Sequence, residues 1–241
     1  MELYSVVFSY ILPKTLSILI SIYLLVKMNE RDFLEFARRT PVFTTKQIAA
    51  ALGDRSYSWV FLNRMVERGL IRRLKRGYYT AHEDPVIYAS HIYHPSYISL
   101  WYAFQHYGTT TQLPAKIEVM ARKTEIVEKI ELVRTKEMWG YGQVNYNGYQ
   151  IFMADLEKAI IDAIETERVP VDEVVNAIGK AKLKKLEEYA LRMPVSTMKK
   201  IGYVAEMAGH PLEVLFERVK DDRNYARYYA AEKGNRWRVT K

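Results

Sequence analysis

The chain has no cysteine, which removes disulfides, thiolate metal sites and cysteine nucleophiles together. It also lacks G-x-S-x-G, G-x-G-x-x-G and the Walker glycine loop, so serine-hydrolase, dinucleotide and P-loop chemistry have no foothold. Histidine is scarce. His91, His94 and His106 fall within 16 residues, yet no carboxylate stands beside them at H-E-x-x-H spacing, and neither a metal nor a cofactor is expected. His94 precedes Pro95 and is read as shaping a loop, and His106 as a cation near a helix end, where it offsets the dipole. Glu157, Asp162 and Glu165 are the carboxylates to weigh for acid–base catalysis. Glu157, Lys158 and Asp162 read as easily as a solvated helix face, and Asp162 as a buried acceptor for a tyrosine hydroxyl or backbone group. No catalytic residue is expected, and the chain is not read as an enzyme.

A long apolar run is also missing. Leu3 to Val26 is largely apolar, but Pro13 and Lys14 interrupt it and leave 11 residues from Leu16 to Val26, short of the roughly 20 that span a bilayer. No A-x-A-like cleavage site follows. Residues 1–27 are therefore expected to be an overextended start or a poorly packed apolar helix, with an N-terminal membrane anchor as the alternative. The expected location is the cytoplasm.

What is present is positive charge. Lysine and arginine number 36 against 28 acidic residues, a net +8, and the pI is near 9.4. That balance favours a polyanionic partner without naming it. Hydrophobic residues make up 49% of the 241, enough for about two domains with their own cores. The 19 tyrosines read first as amphipathic core and interface filler.

Most of the net charge sits in one segment, Thr44 to Thr80. It holds eight basic residues, Lys46, Arg55, Arg64, Arg68, Arg72, Arg73, Lys75 and Arg76, against Asp54 and Glu67. Thr44 or Thr45 can cap a helix at Lys46 to Leu52, which Gly53 stops. Ser56 can cap a second helix with Trp59, Leu62, Met65 and Val66 as its apolar stripe and Tyr57, Ser58, Asn63, Arg64 and Glu67 pointing elsewhere. Leu70 to Arg73 and Tyr78 to Thr80 then flank Lys75-Arg76-Gly77 as a hairpin. Two helices across a turn, followed by a basic hairpin, describe a winged helix-turn-helix. Met28 opens MNERDFLEFARRT, a first helix for that domain, with Phe33, Leu34, Phe36 and Ala37 available to its core.

Beyond Asp84-Pro85 the expected elements are a helix from Tyr97 to Tyr107, strands at Lys116 to Ala121 and Ile126 to Arg134, and an Asn147-Gly148 hairpin turn before a strand at Tyr149 to Met153. Asp155 begins a helix at Leu156 to Glu167. Pro170, Pro194 and Pro211 punctuate a mainly helical tail that ends in a short strand at Arg236 to Thr240. The fold class is α+β: a winged helix-turn-helix over residues 28–82, then an α+β domain over 83–241 with a mainly helical C-terminal part. Lys180 to Lys185 and Lys199-Lys200 form further basic clusters, read as a second nucleic-acid contact, a docking face for an acidic partner, or merely solvated surface.

The segments PSYISLWYAFQHYG, LPAKIEVMARK, DLEKAIIDAI and MKKIGYVAEMAG, following a winged domain, resemble the AbiEi family over about Met28 to Lys241. Those proteins are antitoxins and viral-defence regulators of type IV toxin–antitoxin systems. PSYISL and LEKAIIDAI are the most specific parts. The resemblance implies an N-terminal DNA-binding domain that represses its own operon, and a C-terminal domain that counteracts a nucleotidyltransferase-like toxin. Residues 1–27 have no place in the family pattern.

Two functions follow. In the first, the chain is a sequence-specific repressor on double-stranded DNA at its own promoter or operator, where a homodimer would bind an inverted repeat. Tyr57, Ser58, Asn63 and Arg64 would face base edges, since asparagine and arginine make bidentate bonds to adenine and guanine. Arg72, Arg73, Lys75 and Arg76 would hold the backbone or reach the minor groove. Thr45, Lys46, Ser56 and Tyr78 complete the expected DNA-binding surface. In the second, the winged fold and the α+β domain dock a partner toxin or regulator without DNA.

Overall fold

The computed structural model describes residues 28–112 and 114–241; the apolar extension expected over residues 1–27 lies outside them. The described chain forms two compact units, one ending at Asp84 and one running Pro85–Lys241.

The first unit opens with α1 (Glu30–Arg39). Asn29 caps it: its side chain accepts from the Asp32 amide at 3.0 Å and the Asp32 carboxylate reaches back to the Asn29 amide, a capping box that occupies two otherwise unbonded donors. Strand β1 (Phe43–Thr44), α2 (Thr45–Leu52), α3 (Arg55–Glu67), β2 (Arg72–Lys75) and β3 (Tyr78–Thr80) complete the unit. The three strands form one antiparallel sheet in the order β1-β3-β2. Its core is aromatic. Phe33 meets Phe43 and Phe61 edge-on at 5.6 and 4.9 Å, and Phe43 stacks on Tyr79 at 6.1 Å, geometries that favour the ring quadrupoles beyond simple burial. The order helix, strand, helix, helix, hairpin is that of a winged helix-turn-helix.

The second unit contains α4 (Pro85–Ala89), β4 (Ser96–Ile98), α5 (Leu100–His106), β5 (Ile117–Ala121), β6 (Glu125–Val127), β7 (Ile130–Arg134), β8 (Tyr141–Tyr146) and β9 (Tyr149–Ala154). These strands build a mixed six-stranded sheet, β6-β7-β5-β4-β9-β8, parallel at β7-β5 and β4-β9 and antiparallel elsewhere. Helices α6 (Leu156–Thr166), α7 (Val171–Ile178), α8 (Leu183–Ala190), α9 (Val195–Met207) and α10 (Glu213–Val219) follow, then a parallel pair, β10 (Ala226–Arg227) with β11 (Val239–Thr240). The α+β class with a mainly helical C-terminal part is thus the observed one. Pro170 and Pro194 occupy the N-caps of α7 and α9, where proline's missing N–H removes no helix bond.

Three expectations need correction here. Tyr97 is not helical: Ser96–Ile98 is a strand and the helix begins at Leu100. Tyr97 and Ile98 are fully buried, and a continuous apolar run of that length does not by itself separate strand from helix. The single strand from Ile126 to Arg134 is a hairpin, β6 and β7, turning at Glu128 with φ 52°. The final strand is confined to Val239–Thr240. At Asn147-Gly148 the turn is as expected: both residues have positive φ, 49° and 85°, which a two-residue hairpin of this hand requires.

Helix α6 is the second unit's centre. It touches α5, α7, α8, α9 and β9, and every residue from Leu156 to Ile164 is buried.

Candidate nucleic-acid interface

Helix α2 starts where the sequence places it. Thr44 caps it, its hydroxyl accepting from the Gln47 amide at 3.2 Å while Gln47 Oε1 accepts from the Thr44 amide at 2.8 Å. Thr45 and Lys46 then fall in the first turn, where backbone N–H groups lack helical partners and the dipole favours anions. The Thr45 amide has found another acceptor, the Gly77 carbonyl at the hairpin tip, at 3.0 Å. Gly53, with φ 71°, takes the left-handed conformation that ends the helix.

Helix α3 begins two residues earlier than the sequence suggests. Its cap is Asp54, whose carboxylate accepts from the Tyr57 amide at 2.9 Å, so Ser56 lies inside the helix, where it is exposed. The buried stripe also differs from the expected one, sharing Leu62 and Met65 with it. The buried positions are Ser58, Phe61, Leu62 and Met65, a clean i, i+3, i+4, i+7 face. Two expectations fail as a result. Ser58 cannot face a base: it is fully buried and its hydroxyl donates to the Arg55 carbonyl at 2.7 Å. Trp59, expected in the core, is 57% exposed beside Val60 at 55%. Tyr57 and Arg64 are exposed and Asn63 is half-buried, with the Arg64 guanidinium 6.0 Å from the Phe61 ring.

In the hairpin, the register slips between Arg73 and Lys75, a bulge that leaves Arg72 and Arg73 both exposed while Leu74 enters the core. Arg72 is held at the base, where it donates to the His82 carbonyl at 3.4 Å. Lys75 lies 4.7 Å over the Tyr78 ring, and Arg76 and Gly77 form the tip, Gly77 with φ 80°. Among the described residues no carboxylate pairs with Lys46, Arg55, Arg73 or Arg76, whereas Arg68 is turned away to Glu30 at 2.7 Å.

These pieces meet in a groove of about 580 Å³ lined by Thr44, Thr45, Lys46, Ala49, Arg55, Gly77 and Tyr78. The start of α2, the start of α3 and the hairpin tip therefore share one concave surface. Arg55, counted only among the segment's basic residues, and Ala49 were not assigned to this surface from the sequence. Asp54, a strong N-cap residue one position before Arg55, is the signal that places this arginine in the first turn.

The second unit uses its charged residues internally. Glu157 and Lys158 are buried with Asp162, not on a solvated face. Asp162 receives the Lys158 ammonium, the Ser99 hydroxyl at 2.8 Å and the Tyr97 hydroxyl at 3.1 Å. Lys158 also faces the Trp139 ring at 5.1 Å. Burial pushes the Asp162 carboxyl above its ordinary range, opposed by Lys158 and the two hydroxyls, and the Tyr97 phenol is raised by burial and then by the Asp162 charge. The further basic clusters are engaged in part, with Lys182 and Lys184 exposed. Lys180 donates to the Gly108 carbonyl, Lys185 bridges Asp155 and Glu157 at 2.8 and 3.2 Å, Lys199 binds Asp222 at 2.8 Å, and Lys200 binds Glu167 at 3.0 Å. His91 and His94 flank Phe152, and His106 ends α5. Among the described residues no cluster of histidine and carboxylate groups is arranged to hold a metal, and no helix is long and apolar enough to cross a membrane.

Residues 31–82 match the family model for transcriptional regulators of the AbiEi antitoxin type. That segment is the winged unit; PSYISL and LEKAIIDAI, the segments most specific to the eye, lie outside it. No curated protein matches the chain. Among solved structures, the RV2827C protein from Mycobacterium tuberculosis resembles it with a TM-score of 0.58 over 86% of this chain and 89% of that one, at 12% identity. At that identity the likeness concerns the fold.

Proposed function

From the AbiEi antitoxin regulator signature of the winged unit, we propose that the chain is a sequence-specific DNA-binding repressor of its own operon, serving as the antitoxin of a type IV toxin–antitoxin system in the cytoplasm. Residues 28–82 form the DNA-binding domain. Residues 83–241 counteract a nucleotidyltransferase-like toxin, and the protein binds an inverted repeat as a homodimer.

The observation that carries this reading is the basic groove shared by α2, α3 and the hairpin tip. With α3 in the major groove, Ser56, Tyr57, Asn63 and Arg64 reach base edges. Asn63 suits adenine and Arg64 suits guanine, each offering two bonds in the geometry of the base edge. Lys46, Arg55, Arg73, Lys75 and Arg76 lie against phosphates, where every contact releases condensed counterions. Thr45 and Tyr78 line the groove between the two sets. Ser58 has no part in this surface.

Titrating binding of the upstream intergenic DNA against salt tests the proposal. Five phosphate contacts require log affinity to fall against log salt with a slope on the order of four to five. A flat response would leave the winged unit as a protein-docking module and remove the repressor function.

A further inference from the structure

Two large apolar side chains stand on the outer side of α3 with no role in the reading above. Trp59 is 57% exposed and Val60 55%. Helical spacing puts Ser56, Val60, Asn63 and, at the C-terminal end, Glu67 opposite the buried stripe of Ser58, Phe61, Leu62 and Met65, with Trp59 on one flank and Arg64 on the other. Exposing a tryptophan and a valine side by side asks for an occupant.

The charge around them selects which. Arg55 and Arg64 are exposed on the same helix and Lys46 is exposed on the wall of the neighbouring groove. Lysine and serine are depleted in protein–protein interfaces, so Lys46 and Ser56 beside this face disfavour a protein occupant, whereas a base edge flanked by phosphates suits this mixture of cations, an amide and apolar surface. In the major groove one base pair presents an apolar group, the 5-methyl of thymine. We propose that Trp59 and Val60 read thymine methyl groups, so that this face of α3 selects thymine-bearing steps while Asn63 and Arg64 read purine edges. The inference rests on the DNA-binding reading and adds to it two specificity-determining residues.

Replacing thymine with uracil removes the methyl and leaves the Watson–Crick edge and phosphates in place. The full chain is titrated by electrophoretic mobility shift against its upstream intergenic DNA, amplified with dTTP or with dUTP from primers outside the segment. Losing an apolar contact of methyl size costs about fourfold in affinity, so two contacts give roughly fifteenfold weaker binding to uracil DNA, with the salt slope unchanged. Trp59→Ala and Val60→Ala should bind thymine DNA correspondingly more weakly and discriminate thymine from uracil less than the parent does. Both side chains are exposed, so circular dichroism should show the parent fold.

If the parent binds both DNAs equally with a steep salt slope, the methyl reading is overturned and the repressor reading stands. If the variants lose as much on uracil DNA as the parent does, the effect belongs to duplex shape and the inference likewise fails. Loss of a DNA-free dimer in the variants, seen by sedimentation, would assign the face to a second copy of the chain and overturn it. Absence of salt-dependent binding to either DNA would sink the repressor reading first.

Discussion

Truncating Asp162 to alanine, with Lys158 left in place, strands an ammonium group in the middle of the second unit. Lys158 is fully buried, and Asp162 is its carboxylate partner one turn along α6; the remaining neighbours are the Trp139 and Tyr97 rings at 5.1 and 5.7 Å. Removing one member of such a pair costs about 3–5 kcal/mol, because the other charge stays desolvated without compensation. The Ser99 and Tyr97 hydroxyls lose their acceptor in the same step, although Tyr97 keeps the Glu137 carbonyl at 3.2 Å. Replacing both charges, Lys158→Met with Asp162→Leu, removes the stranded charge and leaves mainly the hydroxyl penalty, about 1–2 kcal/mol. The double variant should therefore be more stable than Asp162→Ala by about 1–4 kcal/mol. Urea unfolding followed by circular dichroism and tryptophan fluorescence measures this, and the change belongs to the transition of the second unit if the two units melt separately. A single Asp162→Ala loss below about 1 kcal/mol, or a double variant as unstable as the single one, would refute the reasoning.

Other expected outcomes are more local. A Cβ on Gly202 would come within 2.2 Å of the Trp237 ring, so Gly202→Ala should destabilise by about 1–3 kcal/mol through overpacking despite alanine's better helix propensity, and shift the Trp237 fluorescence. Burial lowers the His91 pKa, with the Gln150 carbonyl opposing and His94 adding to the fall. A depressed histidine contributes stability above its unfolded pKa of about 6.5, and that contribution disappears as pH falls through the folded value. The thermal midpoint should accordingly drop between pH 7.5 and 5.5, less steeply in His91→Gln, and an unchanged slope in that variant would remove His91 as a cause. On the winged unit, Arg73→Ala or Arg76→Ala should weaken all duplexes alike and lower the salt slope by about one, whereas Asn63→Ala or Arg64→Ala should cost about 1–3 kcal/mol on the preferred sequence alone. Fluorescence anisotropy on specific and scrambled DNA separates the two patterns; identical behaviour would dissolve the division between backbone and base contacts.

Local chemistry made much of the winged unit readable. Thr44 or Thr45 before an apolar run, Gly53 after it, and Gly77 between basic strands each mark one backbone feature through a cap or a single φ value. Helix α3 was harder because two caps compete, Asp54 and Ser56, and because the expected stripe of Trp59, Leu62, Met65 and Val66 overlaps the buried face at Leu62 and Met65. At about 100° per residue, a turn of roughly 60° is enough to move Trp59 outward and Ser58 inward. In the second unit the difficulty was burial. Glu157, Lys158 and Asp162 have the spacing of a solvated face, and only the surrounding layers of α5, α7, α8, α9 and the sheet convert that face into an interior one. Asp162 was still legible as a hydroxyl acceptor, since a carboxylate amid isoleucines and alanines needs donors. Tyr97 was misread as helical because a strand buried on both faces carries no alternation.

The bond from the Thr45 amide to the Gly77 carbonyl ties the hairpin tip to the start of α2, and β1 fastens the other edge of the same sheet. A wing braced on two sides arrives with its separation from α3 already set. On the proposed DNA-binding function the adjustment on contact falls to the polyanion, and elastic cost becomes a criterion: flexible pyrimidine–purine steps near the tip would be accepted more readily than stiff A-tracts, even at bases no side chain touches.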